Sequence, residues 1–189
     1  MPRAQRADAV RNRTKILDAA RDQITLHGSA AGMDEIAAAA GVAVGTLYRH
    51  FPTKTDLVEA VIAEFVGQVA DDAESSWSRA QTGSPAFNEV AGFLSRVVDA
   101  SATNHAIKAA AQALGADYGN QAAEARAGEA LARLIAAGQA GGEIHPDVTV
   151  ADVYLLMSAA PTGQPAAARA RWLTLILPGL TNRDRVPLP

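Results

Sequence analysis

The 189-residue chain contains no cysteine, so it can form neither a disulfide framework nor a thiolate metal site. It also lacks a run of about 18 apolar residues, the basic start and short apolar segment of a signal peptide, and any lipidation motif. We therefore expect no membrane association and a cytoplasmic location.

Motifs of catalysis are missing as well. The four histidines (His27, His50, His105 and His145) have no metal-ligand spacing such as HExxH, and there is no glycine-rich phosphate loop. No serine or carboxylate lies in a recognisable nucleophile or acid and base motif. We expect no enzymatic activity, no metal site and no cofactor.

What the sequence does contain is a pair of short helices joined by a tight turn, within the range Met33 to Lys54. The first helix is predicted by apolar residues at i, i+3, i+4 and i+7, and Gly41 then ends it, because glycine adopts the positive φ that a reversing chain needs. These apolar residues are Met33, Ile36, Ala37 and Ala40.

The second helix carries Leu47 and Phe51 at i and i+4, which we expect to face inward, and Pro52 ends it. Its other side chains then point outward. Two helices crossing at a wide angle are typical of a helix-turn-helix, whose second helix lies in the major groove of DNA. An ordinary helical hairpin would show the same apolar pattern.

The segment GTLYRHF, from Gly45 to Phe51, together with Lys54 closely resembles the recognition helix and following cap of the tetracycline-repressor (TetR-like) family. The detailed resemblance covers about Arg11 to Leu57, and beyond it only the layout is similar. It implies an all-α fold of about nine helices, with a three-helix DNA-binding domain and a basic N-terminal arm at 1–53. A larger helical effector-binding and dimerisation domain would follow at 54–189.

The resemblance also implies which residues contact DNA. Thr46, Tyr48, His50 and Lys54 match positions that bond phosphate or sugar, whereas base edges are read near Val44, Gly45, Thr46, Tyr48 and Arg49. Lys54, as a point charge, would strengthen binding to all sequences alike. Arg49 can fork onto guanine or clamp a phosphate. A core position remains the alternative for Tyr48 and for His50.

One departure from the family concerns Gly32, just ahead of Met33, where members often carry serine, threonine or proline. A hydroxyl at that position caps the second helix and touches phosphate, and glycine caps only weakly. The backbone N–H groups of Met33 and Asp34 remain as donors.

The charge is unevenly divided along the chain. The net charge is −3, yet residues 1–54 hold eight basic against five acidic residues, which leaves −6 for the remainder. Within the first fifteen residues five are basic and one is acidic, and a periodic helix begins only at about Arg11. This arm would either reach the DNA or remain a solvated terminus.

The last two predicted helices form a candidate dimer interface. Asp147 or Thr149 would cap the first of them, and Pro165 would stand at position N1 of the second, which runs from Ala166 to about Leu177 and is apolar nearly all round. Two copies of the pair would make a four-helix interface, and a buried core helix of a monomer is the alternative. The predicted interface residues are Val153, Leu156, Met157, Trp172, Leu173 and Ile176.

Between these regions we expect a helical domain that binds a small effector. The predicted helices are one from Thr55 to about Arg79, one carrying Phe87, an alanine-rich segment from His105 to Leu114, and one from Asn120 to about Ala140. Family resemblance implies a small apolar or amphipathic effector, although aromatic residues on helices also fill ordinary cores. The predicted pocket residues are Phe65, Trp77, Phe87, Phe93, His105, Tyr118 and Met157.

Together these observations predict a ligand-responsive transcriptional regulator, most simply a repressor. It would bind palindromic operator DNA as a homodimer and be released by a small molecule. The alternatives are a helical protein-interaction module and a DNA-binding regulator without an effector.

Overall fold

The computed structural model describes residues 3–116 and 120–181, apart from the side chains of residues 3–6. Within these ranges there are nine α-helices, two short 3-10 helices and no strand, which confirms the expected all-α class. None of the described helices has the length and apolar character needed to cross a lipid bilayer. The helices are α1 (Arg3–His27), α2 (Met33–Ala39), α3 (Val44–His50), α4 (Lys54–Gln81), α5 (Ala86–Thr103), α6 (His105–Leu114), α7 (Gln121–Ala140), α8 (Val150–Ala159) and α9 (Ala166–Ile176), with 3-10 helices η1 (Gly28–Ala30) and η2 (Leu177–Leu180).

The chain divides into two compact units. The described residues of Met1–Phe65 and Thr103–Gly119 form the first unit, and those of Val66–Ala102 and Asn120–Pro189 form the second. This division differs from the boundary expected between residues 53 and 54, because it assigns α6 and the first turns of α4 to the unit that contains α2 and α3. The expected boundary concerns functional domains and stays a prediction.

The core of the first unit is built from one apolar face of each helix. α1 packs against α2, and α6 packs against both α1 and η1. Fully or almost fully buried side chains in this unit include Ile16, Ala20, Ile24, Ile36, Ala37, Leu47, Leu57, Val58 and Ile107. The inward positions predicted for the two helices of the helix-turn-helix are buried, including Ala40 and Phe51, apart from Met33, which is half-buried.

The start of α1 corrects the expectation of an arm that becomes helical only near Arg11, because the helix already begins at Arg3. Residues 4–10 contain three alanines, a glutamine and an arginine and no glycine or proline, a composition with high intrinsic helix propensity. These residues show no apolar period, since Val10 itself is 65% exposed. Periodicity therefore does not detect this part of the helix.

The core of the second unit takes most of its buried residues from α5 and α7, with others from α4, α8 and α9. Phe93, Leu94, Leu131 and Leu134 are completely buried there. Charged pairs join α4 to its neighbours: Arg96 donates to Asp72 at 2.9 Å, and Arg126 donates to Asp71 at 2.6 Å. The second half of α4 is thus fixed to α5 and α7 within this unit.

A buried carboxylate connects the end of α4 to α5. Glu89 accepts hydrogen bonds from Arg79 at 2.9 Å and from Ser84 at 2.7 Å. Burial raises the pKa of Glu89, but these hydrogen bonds and the positive charges of Arg79 and Arg96 outweigh burial, so that its pKa lies below its ordinary value. Glu89 is therefore ionised and paired at neutral pH.

Candidate nucleic-acid interface

The turn between α2 and α3 is closed by backbone hydrogen bonds. The N–H of Gly41 donates to Ala38 O at 3.1 Å, and the N–H of Val42 donates to Ala37 O at 3.0 Å. Gly41 has a φ of +65°, a conformation that side chains with a Cβ rarely adopt. The glycine predicted to end α2 is therefore required by the geometry of the turn.

Two large buried side chains hold α3 against the other helices of the first unit. Leu47 is completely buried and Phe51 is 4% exposed, while the N–H of Phe51 closes the helix on Leu47 O at 2.8 Å. Ala43 O accepts the first two hydrogen bonds, from Thr46 at 2.8 Å and Leu47 at 3.2 Å. A seven-residue helix with so few buried residues takes its position from these contacts.

The opposite face of α3 is open. Val44 is 40% exposed and Tyr48 is 44% exposed, so Tyr48 is not a core residue. Gly45 and Arg49 are also exposed, whereas Thr46 and His50 are half-buried. Arg49 forms no ion pair with any residue in the described ranges. α3 thus presents a phenol and an unpaired guanidinium on one surface.

Lys54 lies differently from the freely exposed point charge that the sequence suggests. It is half-buried, and its Nζ donates to Ser29 O at 2.7 Å and also to Ala31 O. Its ammonium therefore binds the connection between α1 and α2. The sequence carries no signal for this contact, since Lys54 lies more than 20 positions after both acceptors. The phosphate contact of Lys54 stays a prediction.

The beginning of α4 contains a cap that the sequence analysis missed. The N–H and hydroxyl of Thr53 donate to Asp56 Oδ2 at 2.8 and 2.7 Å, and the N–H of Asp56 donates back to Thr53 Oγ1 at 3.1 Å. The sequence TKTD is the threonine-x-x-acid signature of such a capping box. This motif fixes the first turn of α4, directly after the recognition helix.

The N-terminus of α2 compensates for Gly32 by a reversed contact. Gly32 offers no side-chain cap, but its N–H donates to Glu35 Oε2 at 3.0 Å. Asp34 and Glu35 both lie in the first turn, where negative charge is favoured by the helix dipole. These carboxylates also repel phosphate, which disfavours a phosphate contact at this helix end. The contact expected from the N–H groups of Met33 and Asp34 stays a prediction.

Arginine side chains of α1 differ in their availability. Arg11 pairs with Asp8, and Arg21 pairs with Glu64 at 3.1 Å. Arg13 instead lies over the Phe51 ring, with its guanidinium carbon 4.9 Å from the ring centroid. This cation-π contact joins α1 to the residue that follows α3, which sequence spacing alone does not indicate.

The predicted interface helices bury one residue each. Thr149 is the N-cap of α8, as one of the two alternatives predicted, and Pro165 occupies the N-cap of α9 rather than N1. Val153 and Leu173 lie in the core of the protomer, whereas four predicted residues are half-buried: Leu156, Met157, Trp172 and Ile176.

The same two helices leave apolar side chains exposed that the prediction omitted. Leu155 is 65%, Leu175 67% and Tyr154 41% exposed. The Tyr154 hydroxyl lies beside Gly128, 3.3 Å from the position that a Cβ would take there. Burial of the phenol, with the nearby charge of Glu124 as the smaller cause, raises the pKa of Tyr154. α8 and α9 therefore each expose a leucine, Leu155 and Leu175, to about two thirds.

The predicted pocket residues are divided between the two units. Phe65 and His105 belong to the first unit, where Phe65 is half-buried and His105 is exposed. Phe93 is completely buried in the core of the second unit. Trp77, Phe87 and Met157 are partly buried and pack against that core. Tyr118 lies outside the described residues. An effector pocket at these residues stays a prediction.

Comparisons with known proteins agree with this geometry. Residues 16–61 match the model for bacterial regulatory proteins of the tetR family, and residues 86–182 match the model for the C-terminal domain of SbtR-like transcriptional regulators. An HTH-type transcriptional regulator of Mycobacterium tuberculosis is 43% identical over 56 residues, which make up 30% of this chain. The match spans only 24% of that relative's length.

Solved structures extend the similarity to most of the chain. A TetR transcription regulatory protein of Mycobacterium vanbaalenii is 33% identical with a TM-score of 0.74, covering 94% of this chain and 99% of that protein. A TetR regulator of Streptomyces coelicolor is 28% identical with a TM-score of 0.71, covering 91% and 99%. The regulator FadR of Bacillus subtilis, solved with stearoyl-CoA, shares the fold at 20% identity and a TM-score of 0.59, covering 90% and 99%.

Proposed function

Because the chain belongs to the TetR family of bacterial transcriptional regulators, we propose that it is a ligand-responsive repressor. It binds palindromic operator DNA as a homodimer and is released by a small molecule. The observation that carries this proposal is that the buried Leu47 and the following Phe51 hold α3 in place, while α3 leaves Tyr48 and Arg49 exposed.

The exposed residues of α3 suit the edges and backbone of a duplex. The Arg49 guanidinium has no carboxylate partner within the described ranges, and it can donate two parallel hydrogen bonds to O6 and N7 of guanine or to a phosphate. The Tyr48 hydroxyl can donate to a phosphate or a base edge. Val44 and Gly45 lack hydrogen-bonding side chains, so they contribute apolar contact with thymine or close backbone approach.

A homodimer is expected because α3, the helix that would read the DNA and is called the reader below, is short. A seven-residue helix contacts too few base pairs to select one site in a genome, and a twofold dimer on a palindrome doubles the number read. The exposed Leu155 and Leu175 supply an apolar surface for such pairing. Pairing through α8 and α9 then holds two copies of α3 at a fixed separation.

Release by an effector requires a helix shared by both parts of the chain. α4 is continuous from Lys54 to Gln81, and residues 54–65 belong to the first unit while 66–81 belong to the second. An effector that binds one conformer more tightly would shift the population toward it. If that conformer moves the readers off the spacing of adjacent major grooves, about 34 to 36 Å, ligand and DNA oppose each other.

The DNA-binding proposal is tested by selecting bound fragments from random duplexes and measuring their affinity across a salt series. Arg49→Ala should cost about 1 to 3 kcal/mol on the selected site and relax the preference at one base pair if it reads guanine. Arg133→Ala, which removes an exposed arginine from α7, serves as the matched control. Absence of a salt-dependent shift on any duplex would favour the protein-interaction alternative.

The effector part is tested separately on the selected duplex. A panel of small apolar and amphipathic compounds, with stearoyl-CoA as one probe, is added to the preformed complex. At least one compound should weaken DNA binding, and DNA should weaken binding of that compound by the same factor. A panel without any effect would favour a regulator that has no effector of this class.

A further inference from the structure

The first residue of α4 holds the segment that leads into α2. Lys54 Nζ donates to the carbonyl oxygen of Ser29 at 2.7 Å and to that of Ala31. Ser29 belongs to η1, and Ala31 is a completely buried residue between η1 and α2. One ammonium group therefore binds two carbonyl groups of a connection that lies more than 20 residues earlier in the chain.

This connection contains two glycines and one long backbone hydrogen bond. Gly28 and Gly32 have no side chain to pack or to form a cap, and the N–H of Ala31 donates to Gly28 O at 3.3 Å, which is long for such a bond. The path of residues 28–32 nevertheless decides where α2 begins, and α2 carries the turn that places α3. Hydrogen bonds from a charged donor contribute about twice as much as those between neutral groups.

We propose that Lys54 is a positioning residue of the DNA-reading unit, which holds Ser29 and Ala31 and thereby fixes the start of α2. The contact exists without DNA, so the role is distinct from the phosphate contact that the family resemblance implies. An ammonium has three donors, and the two carbonyls occupy two of them. The link to DNA reading rests on the proposed function, whereas the positioning itself does not.

The direct test is amide hydrogen exchange measured by NMR on the free protein. Lys54→Met keeps the length and apolar stem but removes the ammonium, and it should speed exchange of the Ala31 and Gly32 amides about ten-fold or more. Lys54→Arg, which keeps a charged donor, should restore most of the protection. The Phe51 amide, which closes α3, should change less than two-fold in either variant.

Lys15→Met is the matched control, because it removes the same charge from an exposed position of α1 in the same unit. It should leave exchange of the Ala31 and Gly32 amides unchanged. Equal rates in Lys54→Met and the wild-type chain would overturn the inference. So would a loss of protection in Lys54→Arg as large as in Lys54→Met, because a charged donor would then not be what holds the connection.

A measurement on the wild-type chain keeps the proposal testable if Lys54→Met does not fold. A hydrogen-bonded ammonium exchanges its protons with water more slowly than a solvated one, so the Lys54 side-chain ammonium should give an observable nitrogen-correlated signal at low temperature. The exposed Lys15 should give none under the same conditions. Identical behaviour of the two ammonium groups would contradict the contact.

The effect on DNA reading is measured as coupling between two substitutions. If Lys54 positions the reader, the affinity loss caused by Arg49→Ala should be at least three-fold smaller in the Lys54→Met background, because a displaced α3 no longer uses Arg49 fully. Penalties that multiply independently within about two-fold would overturn this link. If the wild-type chain binds no duplex, the proposed function fails, while the exchange experiment still decides the positioning role.

Discussion

Two regions of this molecule bury very little of their own helices, and they differ in what they leave exposed. α3 buries Leu47 and exposes Tyr48 and an unpaired Arg49. α8 and α9 bury one residue each and expose Leu155 and Leu175 to about two thirds. In the proposed function both are partner surfaces: the exposed face of α3 is polar and cationic and suits DNA, whereas that of α8 and α9 is apolar and suits a second copy of the chain.

In both regions, adjacent residues differ strongly in exposure. In α3 the exposed fraction rises from 0% at Leu47 to 44% at Tyr48, and in α8 it rises from 0% at Val153 to 41% at Tyr154. In each pair the first residue is buried and fixes the helix to the rest of the chain, whereas the second is exposed and could contact a partner. Substitutions at neighbouring positions can therefore separate stability from binding.

The largest effect is expected from charge placed in the apolar surface. The double variant Leu155→Glu with Leu175→Glu introduces four carboxylates into a twofold interface, and burial of unpaired charge is strongly unfavourable. We expect the dimer dissociation constant to rise at least 100-fold, measured by sedimentation velocity over a concentration series, with operator affinity falling in parallel.

The control for that variant adds one carboxylate elsewhere in the same unit. Asn88→Glu changes an exposed residue in the first turn of α5 and should leave both sedimentation and DNA affinity unchanged. If the Leu155 and Leu175 double variant still sediments like the wild-type chain, α8 and α9 do not form the interface.

The next effect compares the two adjacent residues of α3. Leu47→Ala removes a completely buried side chain and should lower the free energy of unfolding by about 2 to 5 kcal/mol. Tyr48→Ala should change it by less than about 1 kcal/mol and instead reduce operator affinity. Chemical denaturation with both variants measures the first quantity. Equal stability losses would show that Tyr48 also stabilises the fold and is not only a DNA contact.

The smallest effect concerns matching caps at α4 and α8. Thr149 donates its N–H and its hydroxyl to Asp152 Oδ2, both at 2.7 Å, in the same arrangement as Thr53 with Asp56. Thr53→Ala and Thr149→Ala should each lower the free energy of unfolding by about 1 kcal/mol. Only the first change lies beside the reader, so only Thr53→Ala should also weaken operator binding.

The cap of α8 also predicts a pH dependence. Hydrogen bonds from the Thr149 hydroxyl, and secondarily from its N–H, hold the pKa of Asp152 below its ordinary value. Stabilisation by a carboxylate with a lowered pKa is present above the unfolded pKa of about 4 and is lost as the pH falls through the folded value. The stability difference between Thr149→Ala and the wild-type chain should therefore shrink below about pH 4. A constant difference would show that the carboxylate does not contribute.

The local pattern of the sequence predicts much of the DNA-reading region. The bounds of α2 and α3, the turn at Gly41 and the inward positions of Leu47 and Phe51 depend on residues within one or two helical turns, where spacing and residue type carry the information. The same reasoning fails for residues 3–10, because their helix follows from propensity without an apolar face.

Long-range contacts account for what the sequence does not predict. The placement of α6 against α1 and η1 joins segments about 80 residues apart, and the Lys54 contact with Ser29 joins residues without any shared motif. In α8 and α9 most residues are apolar, so the pattern cannot tell that Val153 and Leu173 face the core while Leu155 and Leu175 do not. Packing selects among apolar positions that the sequence leaves equivalent.

If α3 binds the major groove and pairing through α8 and α9 fixes the distance between two copies of α3, operator affinity depends on the spacing of the half-sites. The most direct test inserts about 5 base pairs, half a helical turn, between the half-sites of the selected operator and measures affinity by fluorescence anisotropy. Binding should then fall to the level of a single half-site, because the insertion changes both the distance and the rotation between the half-sites. Unchanged affinity with the half-turn insertion would contradict this arrangement.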